Sequence, residues 1–247
     1  MDSIPIHITD KSFFVRYFLQ PISKISESCC INLDNKGLSC IINTPDNSII
    51  ANIQYQVEEN THNTPVTLNI PDVNRLIKAL EAINEDKITL TLDKNNICYK
   101  NNSISFKYHL LENGVLNRPK INIDKINSID IDTNFILTEK AIQDIIKAST
   151  FCVDSNKIYL YSRESKLHGE LTDRARPNVD SFTVELASEV VGKDLASLCL
   201  NLEVIRILST NKVKQIRCKT NNTLGVVLFE YGNNILKAQY IVSSLTK

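Results

Sequence analysis

Leu137-Thr138-Glu139-Lys140-Ala141-Ile142-Gln143-Asp144-Ile145-Ile146-Lys147-Ala148-Ser149 reads as a helix with one apolar side. Ala141, Ile142, Ile145 and Ile146 recur at helical spacing and form a single stripe. Thr138 stands where an N-cap hydroxyl belongs, and Glu139 follows in the first turn. The opposite stripe carries Lys140, Asp144 and Lys147. The spacing predicts an element that buries one face and offers charge on the other.

Three further segments read the same way. Thr9 is placed to cap a helix that runs to about Gln20 and ends at Pro21, with Phe14, Tyr17 and Phe18 as its stripe. Its outward side carries Ser12, Arg16 and Gln20, with Lys11 at the flank. Asp72 is placed to cap a second helix through Val73, Leu76, Ile77, Leu80 and Ile83, with Arg75 and Lys78 outward. A shorter helix spans Glu203 to Thr210, with Val204, Ile205 and Leu208 inward and Arg206 outward. The first and third helices begin at Thr9 and Thr138, an offset of 129; the second and fourth begin at Asp72 and Glu203, an offset of 131. Two nearly equal offsets point to an internal duplication.

The strands repeat as well. Ser28 to Asn32 and Leu38 to Asn43 flank the hairpin signal Asp34-Asn35-Lys36-Gly37; Ile158 to Tyr161 and Leu167 to Leu171 flank a polar turn at Glu164-Ser165. Ile49 to Tyr55 and Val66 to Ile70 complete the first set, and Phe182 to Leu186 and Leu198 to Leu202 the second. Each half closes with three strands: Ile88 to Leu92, Ile97 to Tyr99 and Ile104 to Leu110, then Gln215 to Cys218, Leu224 to Phe229 and Ile235 to Val242. Each half is expected to run strand, helix, four strands, helix, three strands. The resulting division is a domain over 1–111, a polar connecting segment with Pro119 over 112–130, and a second domain over 131–247.

Composition narrows the function classes. Lys+Arg and Asp+Glu both number 28, so the chain is formally neutral and lacks the basic excess of a protein that holds nucleic acid by charge alone. A neutral total is compatible with one basic face. The seven cysteines form no C-x-x-C pair and mostly sit in apolar stretches, which fits buried, reduced thiols. His7, His62, His109 and His168 share no spacing that suggests a metal site or a catalytic triad, and Gly192-Lys193 lacks the rest of a phosphate loop. No enzyme, cofactor or metal is expected. Asp173 to Asn178 reads as a solvated loop. No apolar run reaches the length of a membrane span and the N-terminus has no signal-peptide pattern, so a cytoplasmic protein is expected, in the host cytoplasm if it is viral.

Two repeats of this order resemble the sliding-clamp fold shared by proliferating-cell nuclear antigen and the clamps of T4-type phages. The likeness is clearest in Leu137 to Ser149 and continues through Lys157 to Leu171, Ser181 to Leu186 and Lys214 to Val242, on the side of the phage clamps. The resemblance implies an α+β fold of two tandem similar domains, with antiparallel sheets outside and four helices on the inner face. It implies three subunits joined head to tail in a ring that encircles double-stranded DNA without sequence preference. It also implies a viral processivity factor that serves a DNA polymerase and is opened by a clamp loader, with no catalytic centre. By position, the DNA-facing residues would be Lys11, Arg16, Arg75, Lys78, Lys140, Lys147 and Arg206, although Asp144 departs from a purely basic lumen. Ring closure would pair Ser103 to Leu110 with Ser181 to Ala187 of the next subunit. Partner peptides would dock against Leu116, Ile121, Ile241 and Val242. The alternative is a monomeric or dimeric processivity factor of the same fold that holds DNA electrostatically, without closing a ring.

Overall fold

The computed structural model describes residues 3–57 and 64–245. His62 lies outside them. The chain forms two compact units: Met1–Asn43, Ala51–Lys120 and Gly232–Ala238 make the first, and Thr44–Ile50, Ile121–Tyr231 and Gln239–Lys247 the second.

In chain order, the N-terminal elements are β1 (Ile4–Ile8), α1 (Lys11–Phe14), a π-helical turn (Val15–Leu19), α2 (Gln20–Ile25), β2 (Cys29–Asp34), β3 (Gly37–Asn43), β4 (Ile49–Tyr55), β5 (Val66–Ile70), α3 (Val73–Glu81), β6 (Ile88–Asp93), β7 (Asn96–Lys100) and β8 (Ser105–His109). The C-terminal elements are α4 (Ile123–Asn127), β9 (Thr133–Thr138), α5 (Glu139–Ser149), β10 (Lys157–Arg163), β11 (Lys166–Leu171), β12 (Phe182–Ala187), β13 (Val190–Gly192), β14 (Leu198–Asn201), α6 (Glu203–Ser209), β15 (Gln215–Asn221), β16 (Val226–Gly232) and β17 (Leu236–Ser243). The expected order is present in both halves. The short strand β13 and the helix α4, inside the connecting segment, are additions to it.

Sheet order confirms the duplication. The first repeat of the sequence holds the orders β1-β6-β7-β8 and β5-β2-β3-β4; the second repeat holds β9-β15-β16-β17, with β13 outside β9, and β14-β10-β11-β12. Position by position the two orders are the same, and the pairs β1–β6–β7–β8, β5–β2–β3, β13–β9–β15–β16 and β14–β10–β11–β12 are antiparallel. The β2–β3 hairpin needs its glycine: Gly37 has φ +120, and a Cβ there would strike the Tyr55 carbonyl.

The first helix departs from expectation at both ends. Asp10, not Thr9, is the N-cap; its carboxylate accepts from the Phe13 N–H at 2.7 Å. Asp10 is the residue directly before the helix, and its extended backbone aims the carboxylate at the exposed N–H groups. Pro21 does not end the helix. It sits in the first turn of α2, directly after the π turn, which displaces the carbonyl that a proline ring would meet in a regular α-helix. The apolar stripe therefore continues through Ile22 and Ile25, both buried.

Each unit buries its helices against a sheet, but with different side chains. In the first, Phe14, Phe18 and Tyr55 form an aromatic cluster, with Phe14 stacked on Phe18 at 5.3 Å and edge-on to Tyr55 at 5.0 Å. In the second, Ile142, Ile145, Leu160, Leu200, Val204 and Ile205 supply an aliphatic core. Behind it, the buried hydroxyls of Tyr231 and Tyr240 lie 3.1 Å apart and Asn211 donates to Tyr231. Burial pushes the Tyr240 phenol up to about 12.

Candidate nucleic-acid interface

In the first unit α3 packs against α2 and the π turn. Asp72 caps α3, accepting from the Arg75 N–H at 2.9 Å. Val73, Leu76, Ile77 and Leu80 are buried, which turns Arg75 and Lys78 to solvent. Arg16, in the π turn, is half-buried with its guanidinium 5.5 Å from the centre of the Tyr17 ring. Lys11 requires a correction. Its side chain is buried and its Nζ donates to the Ile83 carbonyl, so the ammonium ties the first helix to the end of α3 and is withdrawn from any outward face. Lys24 was missed because the helix was expected to stop at Pro21; it is exposed in the last turn of α2. The signal was available: Ile22 and Ile25 extend the stripe of Phe14 and Phe18.

In the second unit α5 packs against α6. Thr138 caps α5, its hydroxyl accepting from the Ala141 N–H at 3.2 Å. Ala141, Ile142, Ile145 and Ala148 are buried, leaving Lys140 and Lys147 exposed. Lys147 lies 3.9 Å from Asp144 on the same helix. Arg206 of α6 is exposed, donates to Glu203 at 3.1 Å and reaches Asn156 at 3.5 Å. Arg174, in the polar loop, lies over the Tyr159 ring at 4.2 Å and bonds Glu170 and Ser197, so it is engaged within its own unit.

Both strands expected to join subunits are sheet edges: β8 ends one order and β12 another. Other edges are shielded. On β5, Leu111 donates its N–H to the Asn69 carbonyl; on β14, Leu245 donates to the Cys199 carbonyl. β13 is three residues long and β1 carries Pro5. Among the described residues, β8 and β12 are the edges left as unshielded runs of five and six residues. Beside β12 lies exposed apolar surface: Phe151, Val153 and Phe182 are 56%, 76% and 43% exposed, with the two rings 6.1 Å apart. Beside β8 a concavity of about 320 Å3 is lined by Pro71, Ala79, Phe106, Tyr108 and Leu110, among others.

The four residues expected at a partner pocket do not behave alike. Ile241 and Val242 are core residues of β17, 5% and 0% exposed; they point to opposite faces of the strand and both faces are covered there, so neither can line a surface pocket. Ile121 is half-buried in the second unit. Leu116 lines a concavity of about 1210 Å3 in the first unit, together with Ile4, Pro5, Val66, Leu92, Leu110, Leu111 and Arg118. Arg118 donates to the Thr67 hydroxyl, and Asn69 donates to the Leu111 carbonyl at 3.3 Å and to Asn113 at 3.0 Å, so the start of the connecting segment is fastened to β5.

No family model matches the chain, and no curated protein matches it in sequence. Solved structures match it in fold along its whole length. The proliferating cellular nuclear antigen of Entamoeba histolytica gives a TM-score of 0.82 at 12% identity, covering 100% of both chains. The PCNA of A. fulgidus, solved with the C-terminal region of FEN-1 bound, gives 0.78 at 15% identity and 99% of both chains. The PCNA2–PCNA3 complex of Sulfolobus tokodaii gives 0.76 at 15% identity, over 98% of this chain and 99% of that one. The chain has the fold of the PCNA sliding clamps.

Proposed function

We propose that this protein is a DNA sliding clamp, in which three copies close head to tail around duplex DNA and tether a replicative polymerase. The observation that carries this is the pair of unshielded edges. β8 is the last strand of the first repeat and β12 the fourth of the second, so they are not equivalent. Pairing unlike edges of successive copies is a heterologous contact, which propagates in one direction and ends only by closing on itself. The exposed Phe151, Val153 and Phe182 beside β12, and the concavity beside β8, where Pro71, Ala79, Phe106 and Leu110 stand among Arg75, Lys107 and His109, give that contact hydrophobic surface to bury.

A ring explains the neutral charge total. Topology keeps the clamp on the duplex, so helix-borne Lys and Arg need supply only weak attraction to phosphates, independent of base sequence. Opening such a ring calls for a clamp loader. The A. fulgidus relative binds the C-terminal region of FEN-1; by analogy, the groove containing Leu116 is the candidate seat for partner peptides, with Ile121 as a more distant candidate. The resemblance of Leu137 to Ser149 to phage clamps extends the proposal to a viral polymerase.

The test is retention on circular duplex DNA, followed by linearisation. A closed ring is held on the circle and lost from free ends. Sedimentation run in parallel is expected to show trimers. A strictly monomeric protein that stays on linear DNA would overturn the ring and leave electrostatic holding by the same fold.

A further inference from the structure

We propose that each subunit grips the duplex chiefly through the helices of its first unit, because Asp144 and Glu203 damp the positive field of the second. This rests on the clamp reading above and adds a division of labour within it.

The outward cations of the two units differ in their company. Lys147 has Asp144 at 3.9 Å, and Arg206 has Glu203 at 3.1 Å. That leaves Lys140 on α5, and Lys212 just past α6, without an ion pair among the described residues. In the first unit Arg16, Lys24, Arg75 and Lys78 all lack a carboxylate within ion-pair distance among the described residues. Asp144 is half-buried on the exposed side of α5 and Glu203 opens α6, so both carboxylates sit beside the cations they oppose.

Pairs this exposed contribute little to the stability of a fold. Their effect on a polyanion is larger in proportion. A cation that releases a counterion from a phosphate must present net positive charge, and a carboxylate one turn away cancels most of it at the distance of a phosphate. On α5 and α6 carboxylates are as many as cations, whereas Arg16, Lys24, Arg75 and Lys78 of the first unit outnumber the one carboxylate on their helices, Glu81, so a ring leans on one set of contacts and slips over the other. Holding is the task of closure, so a uniformly sticky lumen would only slow sliding.

The experiment is anisotropy of a labelled duplex, titrated with salt, on the full-length protein and three double variants. Circular dichroism and sedimentation confirm that each remains folded and assembled. Lys24→Gln with Lys78→Gln is expected to lower the slope of log affinity against log salt by about 1.8 for each subunit that touches the duplex, two phosphate contacts' worth per subunit. Lys147→Gln with Arg206→Gln is expected to lower it by less than about half of that. Asp144→Asn with Glu203→Gln is expected to steepen it by up to about 1.8 per subunit and to slow sliding. Equal losses in the first two variants, or an unchanged slope in the third, would overturn the division of labour. If the unmodified protein is not retained on circular DNA, the clamp reading fails instead, so the two failures are separable.

Discussion

The two units share one strand order and achieve it with different interiors. The first packs its broken helix through Phe14, Phe18 and Tyr55; the second packs a regular helix through Ile142 and Ile145. What they hold in common is the alternation of apolar and polar positions along the strands and the apolar stripe on each helix. Pattern fixes which face is inside, and packing then finds a local solution for whichever side chains are there.

The largest expected effect breaks that comparison at its core. Phe18 is fully buried between aromatic neighbours, and Phe18→Ala is expected to cost about 3–5 kcal/mol. Ile145→Ala, fully buried on α5 in the second unit, is expected to cost about 2–4 kcal/mol, because fewer atoms are removed. Denaturant unfolding of each variant measures both. A larger loss at Ile145 would mean that the aromatic cluster relaxes around its cavity.

The second unit was the more legible of the two. Thr138 and the apolar spacing from Ala141 to Ile146 mark the start of α5 and its buried face, because local propensity and tertiary packing agree there. In the first unit the sequence points to Thr9 as the cap and Pro21 as the stop, which leaves Lys24 outside the expected helix, whereas Asp10 is the cap and the helix runs on to Ile25. A proline inside a helix is permitted only by the turn before it, and a π turn has no spacing signature of its own. Lys11 was misplaced for a related reason: its neighbours mark it as helical, but the Ile83 carbonyl that receives its ammonium lies 72 residues away. Ile241 and Val242 were legible as apolar strand residues; whether such a residue lines a pocket or fills a core depends on what covers the strand.

A smaller effect is expected at the edges. β12 begins with Phe182, 43% exposed, whereas β4 at the same place in the first repeat begins with Ile49, which is fully buried. Phe151→Asp with Phe182→Asp should therefore weaken assembly and spare folding, raising the dissociation constant between subunits by about thirtyfold, the equivalent of about 2 kcal/mol. Sedimentation over a dilution series reads it. An unchanged oligomer would place the contact elsewhere.

Helix caps come next. Asp72→Ala in the first unit and Thr138→Ala in the second are each expected to cost about 1 kcal/mol. The α6 helix has no side-chain bond from its N-cap Leu202; Asn201, one residue earlier, accepts from the Glu203 N–H at 3.0 Å. Asn201→Ala is expected to match the other two if that bond is a true substitute for a cap, and to fall short of them if solvent replaces it.

The smallest effect separates the units by acid. Three carboxylates in the second unit are held below their ordinary range: Asp46 by the Thr44 hydroxyl, Asp132 by Lys193 at 2.7 Å, and Asp173 by Lys157 at 2.9 Å. In the first, Glu85 is lowered, by its own backbone N–H and then by Asn101. A carboxylate whose folded pKa is depressed stabilises the fold above its unfolded value, and that contribution is lost as pH falls through the folded one. Lys157 and Lys193 are raised by the same two aspartates, so those pairs also lose their contribution at the alkaline end, as pH rises through the folded lysine values. These groups lie near the surface, so each share is small. Hydrogen exchange at descending pH should thus open the second unit before the first. Asp132→Asn should narrow the gap, since the amide keeps the size of the side chain but has no charge to lose. A gap that is indifferent to Asp132→Asn would assign the acid sensitivity of the second unit to Asp46 and Asp173, and Asp173→Asn is the variant that then divides it.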